Sequence, residues 1–116
     1  MKISVMGTGY VGLVSGTCLA ERGHQVTCID IRSEVVQEIN AGRPPIHEIG
    51  LDNLLRSARD KGMLSATTDA KTAILDSDVT LICVGTPTVD GRMDMSQIVA
   101  AAKEIGAALV GKRGYH

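Results

Sequence analysis

The chain has 116 residues, the length of one domain, and is 44% hydrophobic with two Tyr and no Phe or Trp, so its core must be aliphatic. Twelve basic residues against thirteen acidic ones give a net charge of −1, spread along the chain, which excludes the basic stripe of a nucleic-acid-binding surface. No run approaches the ~20 apolar residues of a membrane span, and Met1 to Met6 lack the longer apolar stretch of a signal peptide, so a cytoplasmic location is expected.

In chain order, Lys2–Met6 reads as a short strand. From Val11 the apolar positions Val11, Val14, Cys18 and Leu19 recur at helical spacing, until Gly23 ends the helix. Gln25–Ile29 is a second strand, and Ser33 is the expected N-cap of a helix with Val35, Val36 and Ile39 on one face. Gly42–Gly50 contains Pro44 and Pro45 and reads as a loop. Leu51, Leu54, Leu55 and Ala58 mark another helix, stopping at Gly62. Leu64–Thr67 is a weak strand, Asp69 caps a short helix through Leu75, and Val79–Val84 is the most strand-like run of all. After a loop over Gly85–Asp94, Asp94 and Gln97 form a capping-box-like start to a helix carrying Met95, Ile98, Val99, Ala102, Ile105 and Leu109. Alternating strands and helices predict an α/β fold with a parallel sheet wound on both faces.

Gly7-Thr8-Gly9-Tyr10-Val11-Gly12 matches G-x-G-x-x-G, and it both follows a strand and opens a helix. That context points to the Rossmann-type turn that binds a dinucleotide. Gly7 permits a sharp exit from the strand, Gly9 lets the backbone approach a pyrophosphate, and Gly12 lets the helix pack close to the sheet. Free N–H groups at the helix start then face the phosphates, where the helix dipole favours negative charge.

Asp30 ends the second strand, about 20 residues past the glycines, where an acid accepts from the adenosine ribose hydroxyls. A carboxylate there repels the 2′-phosphate of NADP, so NAD is the expected cofactor. Arg32 either offsets that repulsion or is a solvated surface charge. Val84-Gly85-Thr86-Pro87 ends the Val79–Val84 strand, on the side where open parallel sheets bind ligands. Gly85 permits close backbone approach there, Thr86 offers a hydroxyl and Pro87 fixes the loop.

Cys18, Cys28 and Cys83 have no zinc spacing and read as buried small hydrophobes. His24 and His47 lack partners at metal-ligand spacing, so no metal site is expected. Lys112 and Arg113 read as a solvated, positively charged helix end.

Ile3-Ser4-Val5-Met6-Gly7-Thr8-Gly9-Tyr10-Val11-Gly12-Leu13-Val14 resembles the start of the UDP-glucose/GDP-mannose 6-dehydrogenase family. So do Gly23-His24-Gln25-Val26, Ile29-Asp30, Pro45 to Leu51, Thr67-Thr68-Asp69, and Ser77-Asp78 leading to Ile82-Cys83-Val84-Gly85-Thr86-Pro87. The resemblance implies an enzyme that oxidises the 6-hydroxyl of a nucleotide sugar to a carboxylate with two NAD. It places Tyr10 and Val11 along the NAD, Asp30 at the adenosine ribose and Thr86 against the cofactor. Two positions depart from the family pattern. Val35 stands where a basic residue is frequent, and Ile49 replaces a loop proline.

The resemblance also places the family's catalytic cysteine, lysine and asparagine, and its sugar-binding domain, in later segments. No catalytic residue is therefore expected within residues 1–116, read as an NAD-binding domain lacking its last strands, and the nucleotide sugar would be a partner of a longer protein only. With those strands absent, the charge-free Val79–Val84 run is expected to be a sheet edge through which the chain forms a homo-oligomer. Two alternatives stay open at this point: the cofactor half of a hydroxy-acid or hydroxyacyl dehydrogenase, and a non-catalytic NAD-sensing module.

Overall fold

Apolar residues alternate along each strand of the computed structural model, which describes all residues from Met1 to His116. Four parallel strands form the sheet: β1 (Lys2–Met6), β2 (Gln25–Ile29), β3 (Leu64–Thr67) and β4 (Val79–Ile82), in the spatial order β3-β2-β1-β4. Register is set by in-line pairs such as Val5 with Cys28 and with Leu81. The helices are α1 (Tyr10–Glu21), α2 (Ser33–Asn40), α3 (Leu51–Asp60), α4 (Ala70–Leu75) and α5 (Ser96–Leu109). This is the expected doubly wound α/β fold, with β4 at one edge.

The period of two along the strands sorts side chains into two cores. Ile3, Val5, Val26, Cys28, Leu64 and Ala66 face Leu13 and Ala20 of α1, Val35 and Ile39 of α2, and Leu51, Leu55 and Ala58 of α3. On the other face Met6 and Ile29 pack with Ala70, Ala73 and Ile74 of α4 and Ala101 and Ala108 of α5. The remaining positions of that second face carry hydroxyls: the Ser4 and Thr80 Oγ atoms lie 2.7 Å apart, and Ser77 donates to Ser4 at 3.0 Å. Those mutual bonds satisfy the hydroxyls without a full apolar cover.

Several expected details differ. The Val79–Val84 strand stops at Ile82, because its partner β1 ends at Met6, where Gly7 turns away at φ +98°. The Cys83 N–H makes a last bond to the Met6 carbonyl at 2.8 Å. Ser33 is the first helical residue of α2, with Arg32 at the N-cap, because the Asp30 carboxylate accepts the Arg32 N–H at 2.9 Å and fixes the chain one residue earlier. The Gly85–Asp94 loop contains a two-stranded hairpin, β5 (Thr88–Val89) and β6 (Arg92–Met93). Asp90 at φ +50° and Gly91 at φ +74° are its two turn residues, the pair of positive φ values of a type I′ turn.

The Asp94/Gln97 capping box does not form. Asp94 accepts from the Ser96 N–H, and the Gln97 amide is turned instead toward Gly85. α5 buries Ala101 and Ala108, with Ile105 and Leu109 partly buried, whereas Met95, Val99 and Ala102 face solvent. Small residues win that face because α5 packs closely along α4, itself presenting Ala70 and Ala73. Leu54 and Cys18 are exposed, so Cys18 is not one of the buried cysteines.

Candidate cofactor site

The site grows from the way β1 ends. Gly7 adopts φ +98°, a conformation that L side chains rarely adopt, and its N–H donates to the Ile29 carbonyl at 2.9 Å, holding the turn against the end of β2. A Cβ on Gly7 would lie 2.5 Å from the Cys83 carbonyl oxygen, so the turn is wedged between the ends of β2 and β4. A Cβ on Gly12 would lie 1.9 Å from the Gly7 carbonyl oxygen and 3.1 Å from Cys83 Cβ. Gly12 is thus required first by the turn itself and then by the packing of helix on strand.

Gly9 is different. It occupies the N-cap of α1 at φ −75°, and a Cβ there would have nothing within 4 Å. No fold contact demands a glycine at that position, and the open space in front of it fits the close approach of a ligand. No side chain caps α1, and its first turn carries no acidic residue, so its leading N–H groups are free for an anion. Tyr10 and Val11 stand exposed beside it, and the Tyr10 hydroxyl donates to the His47 carbonyl at 3.0 Å, tying the turn to the proline-containing loop.

Asp30 lies just past β2 and is only 8% exposed. The Thr8 hydroxyl, buried inside the glycine turn, donates to its Oδ2 at 2.5 Å, and the Arg32 N–H donates to its Oδ1 at 2.9 Å. The Arg32 guanidinium adds a forked pair, Nε to Oδ1 at 3.0 Å and Nη2 to Oδ2 at 3.1 Å. Burial by itself pushes the carboxyl pKa up, but the bonds from Arg32 and Thr8 outweigh it and hold the pKa down at about 2. Asp30 is therefore an anion at neutral pH, and Arg32 is neither free nor merely solvated. Val35 of α2 is buried in the core.

The segment after β4 completes the rim. Cys83 and the Val84 nitrogen abut Gly7, and Gly85 follows with its N–H donating to Gln97 Oε1 at 3.2 Å. The Pro87 carbonyl accepts the Asp94 N–H at 2.7 Å, closing the base of the β5–β6 hairpin just after Thr86. Glycine turn, Asp30 with Arg32, and the Gly85-Thr86-Pro87 loop thus share the carboxyl end of the sheet. Thr8 and Gln97 were missed as site residues. Thr8 sits at a variable position of the glycine motif, and the Asp94 to Gln97 spacing points to a helix cap.

Burial pushes the Cys28 thiol up to about 12, with Cys83 and Asp30 adding to the effect, and burial raises the Cys83 thiol too. Neither is a ready thiolate at neutral pH. No three His, Cys, Asp or Glu side chains gather where they could hold a metal ion, and no helix is long and apolar enough to cross a membrane.

A parallel sheet of this order, a glycine turn on its first strand and a buried acid after its second define a dinucleotide-binding domain of the Rossmann type. Residues 1–113 match the UDP-glucose/GDP-mannose dehydrogenase family, NAD binding domain, and the chain belongs to that family. It is 48% identical to the GDP-mannose 6-dehydrogenase of Pseudomonas aeruginosa over 117 aligned residues, covering 100% of this chain and 27% of that protein. It is 49% identical to the UDP-glucose 6-dehydrogenase of Rhizobium meliloti over 113 residues, covering 96% of this chain and 26% of that one.

Among solved structures, a ternary complex of the P. aeruginosa GDP-mannose dehydrogenase superposes with a TM-score of 0.98 at 48% identity, over 100% of this chain and 27% of that one. A UDP-glucose dehydrogenase from Pyrobaculum islandicum superposes at 0.90 and 40% identity, over 95% of this chain and 26% of that one. The chain spans about a quarter of the length of these relatives.

Proposed function

We propose that the chain seats NAD with its pyrophosphate on Gly7, Gly9 and Gly12, beside Tyr10 and Val11. In this reading Asp30 takes the adenosine ribose, with Arg32 at its rim, and Gly85, Thr86 and Pro87 line the far side of the cofactor. The observation that carries the reading is the Asp30 carboxylate, ionised though buried, and joined to the glycine turn by the Thr8 hydroxyl. A fixed anion at that distance from the phosphate turn fits a ribose diol and disfavours a 2′-phosphate, so NAD is preferred to NADP.

The full-length activity is then that of a nucleotide-sugar 6-dehydrogenase, acting on a UDP-glucose or GDP-mannose type of substrate. Bound NAD supplies the hydride acceptor, and oxidation of an alcohol to a carboxylate takes two such acceptors per turnover. The residues here do the holding. The α1 N-terminus faces the phosphates, Asp30 fixes the ribose, and Gln97 keeps the Gly85 backbone in place beside the cofactor.

None of the three cysteines is proposed as the nucleophile of that reaction. Incubated with NAD and either nucleotide sugar, the chain alone is expected to give no NADH absorbance above background, and sustained turnover abolished by Cys83→Ser would place the nucleophile here. Calorimetric titration of NAD into the chain and its Asp30→Ala variant tests the binding mode. Affinity is expected to fall by more than about tenfold, roughly 1.5–3 kcal/mol, the range for hydrogen bonds to a charged group. Equal affinity in both proteins would remove Asp30 from the site.

A further inference from the structure

A carboxylate has about four lone-pair positions, and in this structure all four of Asp30's are taken. Oδ2 accepts from Thr8 and from Arg32 Nη2, and Oδ1 accepts from the Arg32 N–H and from Arg32 Nε. A ribose that binds through Asp30 needs two of these positions for its hydroxyls. Thr8 is buried within the glycine turn and the Arg32 N–H belongs to the chain entering α2, so neither can withdraw without disturbing the fold. The Arg32 side chain is 55% exposed and holds Asp30 only through its guanidinium fork. It is the one removable occupant.

We infer that Arg32 is a selectivity device for the cofactor: its guanidinium occupies the ribose seat on Asp30, must swing off it when NAD binds, and then stands beside the ribose 2′ position. The inference rests on the NAD-binding reading of Asp30 given above. Two consequences follow from the geometry. NAD gains its ribose bonds only in exchange for the Arg32 fork, which lowers its net affinity. A guanidinium released next to the 2′ position, by contrast, pairs with a 2′-phosphate and relieves part of the repulsion from Asp30. Arg32 therefore narrows the preference for NAD over NADP from both sides. With the side chain removed, Asp30 keeps its Thr8 and backbone N–H bonds, so the seat stays aimed.

The test is a calorimetric titration of NAD and, separately, NADP into the chain and into Arg32→Ala. Loss of the fork takes one support from the buried Asp30 charge, so thermal unfolding is recorded for both proteins and the titrations are run well below either melt. Arg32→Ala is expected to bind NAD about two- to fivefold more tightly, because the ribose bonds no longer have to replace the half-buried fork, and to bind NADP more weakly. In the unsubstituted chain, the NMR signal of the Arg32 Nε–H follows the same event directly. It is expected to lose its hydrogen-bonded shift and exchange protection as NAD saturates the site. Unchanged or weaker NAD binding by Arg32→Ala, or an Nε–H signal untouched at saturating NAD, would overturn the inference and leave the NAD reading standing. Failure of both proteins to bind NAD would overturn that reading and this inference with it.

Discussion

At the scale of single residues, Asp30 couples the cofactor site to the stability of the fold. Its pKa of about 2 lies below the usual carboxylate value of 3.8 because Arg32 and Thr8 hold the charged form against the cost of burial. A depressed carboxyl contributes stability that is fully present above its unfolded pKa and is lost as pH falls through the folded one. The window is therefore between about pH 4 and pH 2. Asp30→Asn is expected to be less stable than the parent at neutral pH and to converge with it as pH falls toward 2. Urea denaturation across that range checks this, and a gap independent of pH would mean that the charge contributes nothing. Gly12 belongs to the same scale, since a Cβ 1.9 Å from the Gly7 carbonyl oxygen ties it to the turn whether or not a ligand is bound.

At the scale of elements, β4 is one of the two edges of the sheet, and Val79 to Val84 carries no charge to discourage pairing. The free edge is expected to make the chain self-associate, with the mass from light scattering rising with concentration. Ile82→Lys, on a half-exposed side chain, should hold it monomeric, and a parent chain monomeric at every concentration would mean that the edge is protected. Strand positions were legible because alternation is a strong signal: Lys2–Met6, Gln25–Ile29 and Leu64–Thr67 stand as read from the sequence. The inward face of α5 was not, because large residues draw the eye while close packing on α4 favours Ala101 and Ala108. The hairpin at Asp90-Gly91 was not legible within the Gly85–Asp94 loop, because its strands are only two residues long. Within the site, the glycine spacing and the position of Asp30 could be read. The occupancy of Asp30 by Arg32 could not, since spacing gives proximity and says nothing of which side chain fills a lone pair.

At the scale of the whole molecule, two requirements meet at the carboxyl end of the sheet. Gly7 and Gly12 are fixed by the fold, wedged against Cys83 and against each other, whereas Gly9 faces open space with an ordinary φ of −75°. Gly9 alone therefore separates the demands of the fold from those of the ligand. Gly9→Ala should cost the fold no more than the N-cap preference for glycine over alanine, from a few tenths to about 1 kcal/mol, and leave the melting profile nearly unchanged. A pyrophosphate approaching the backbone at that point would meet the new methyl group. Titration of NAD into the chain and into Gly9→Ala, with melting curves recorded on the same samples, is the most direct test of the claim that this turn seats the cofactor. The expected result is a matching melt with NAD affinity reduced at least about tenfold, or roughly 1.4 kcal/mol. A Gly9→Ala chain that melts alike and binds NAD as tightly as the parent would contradict it.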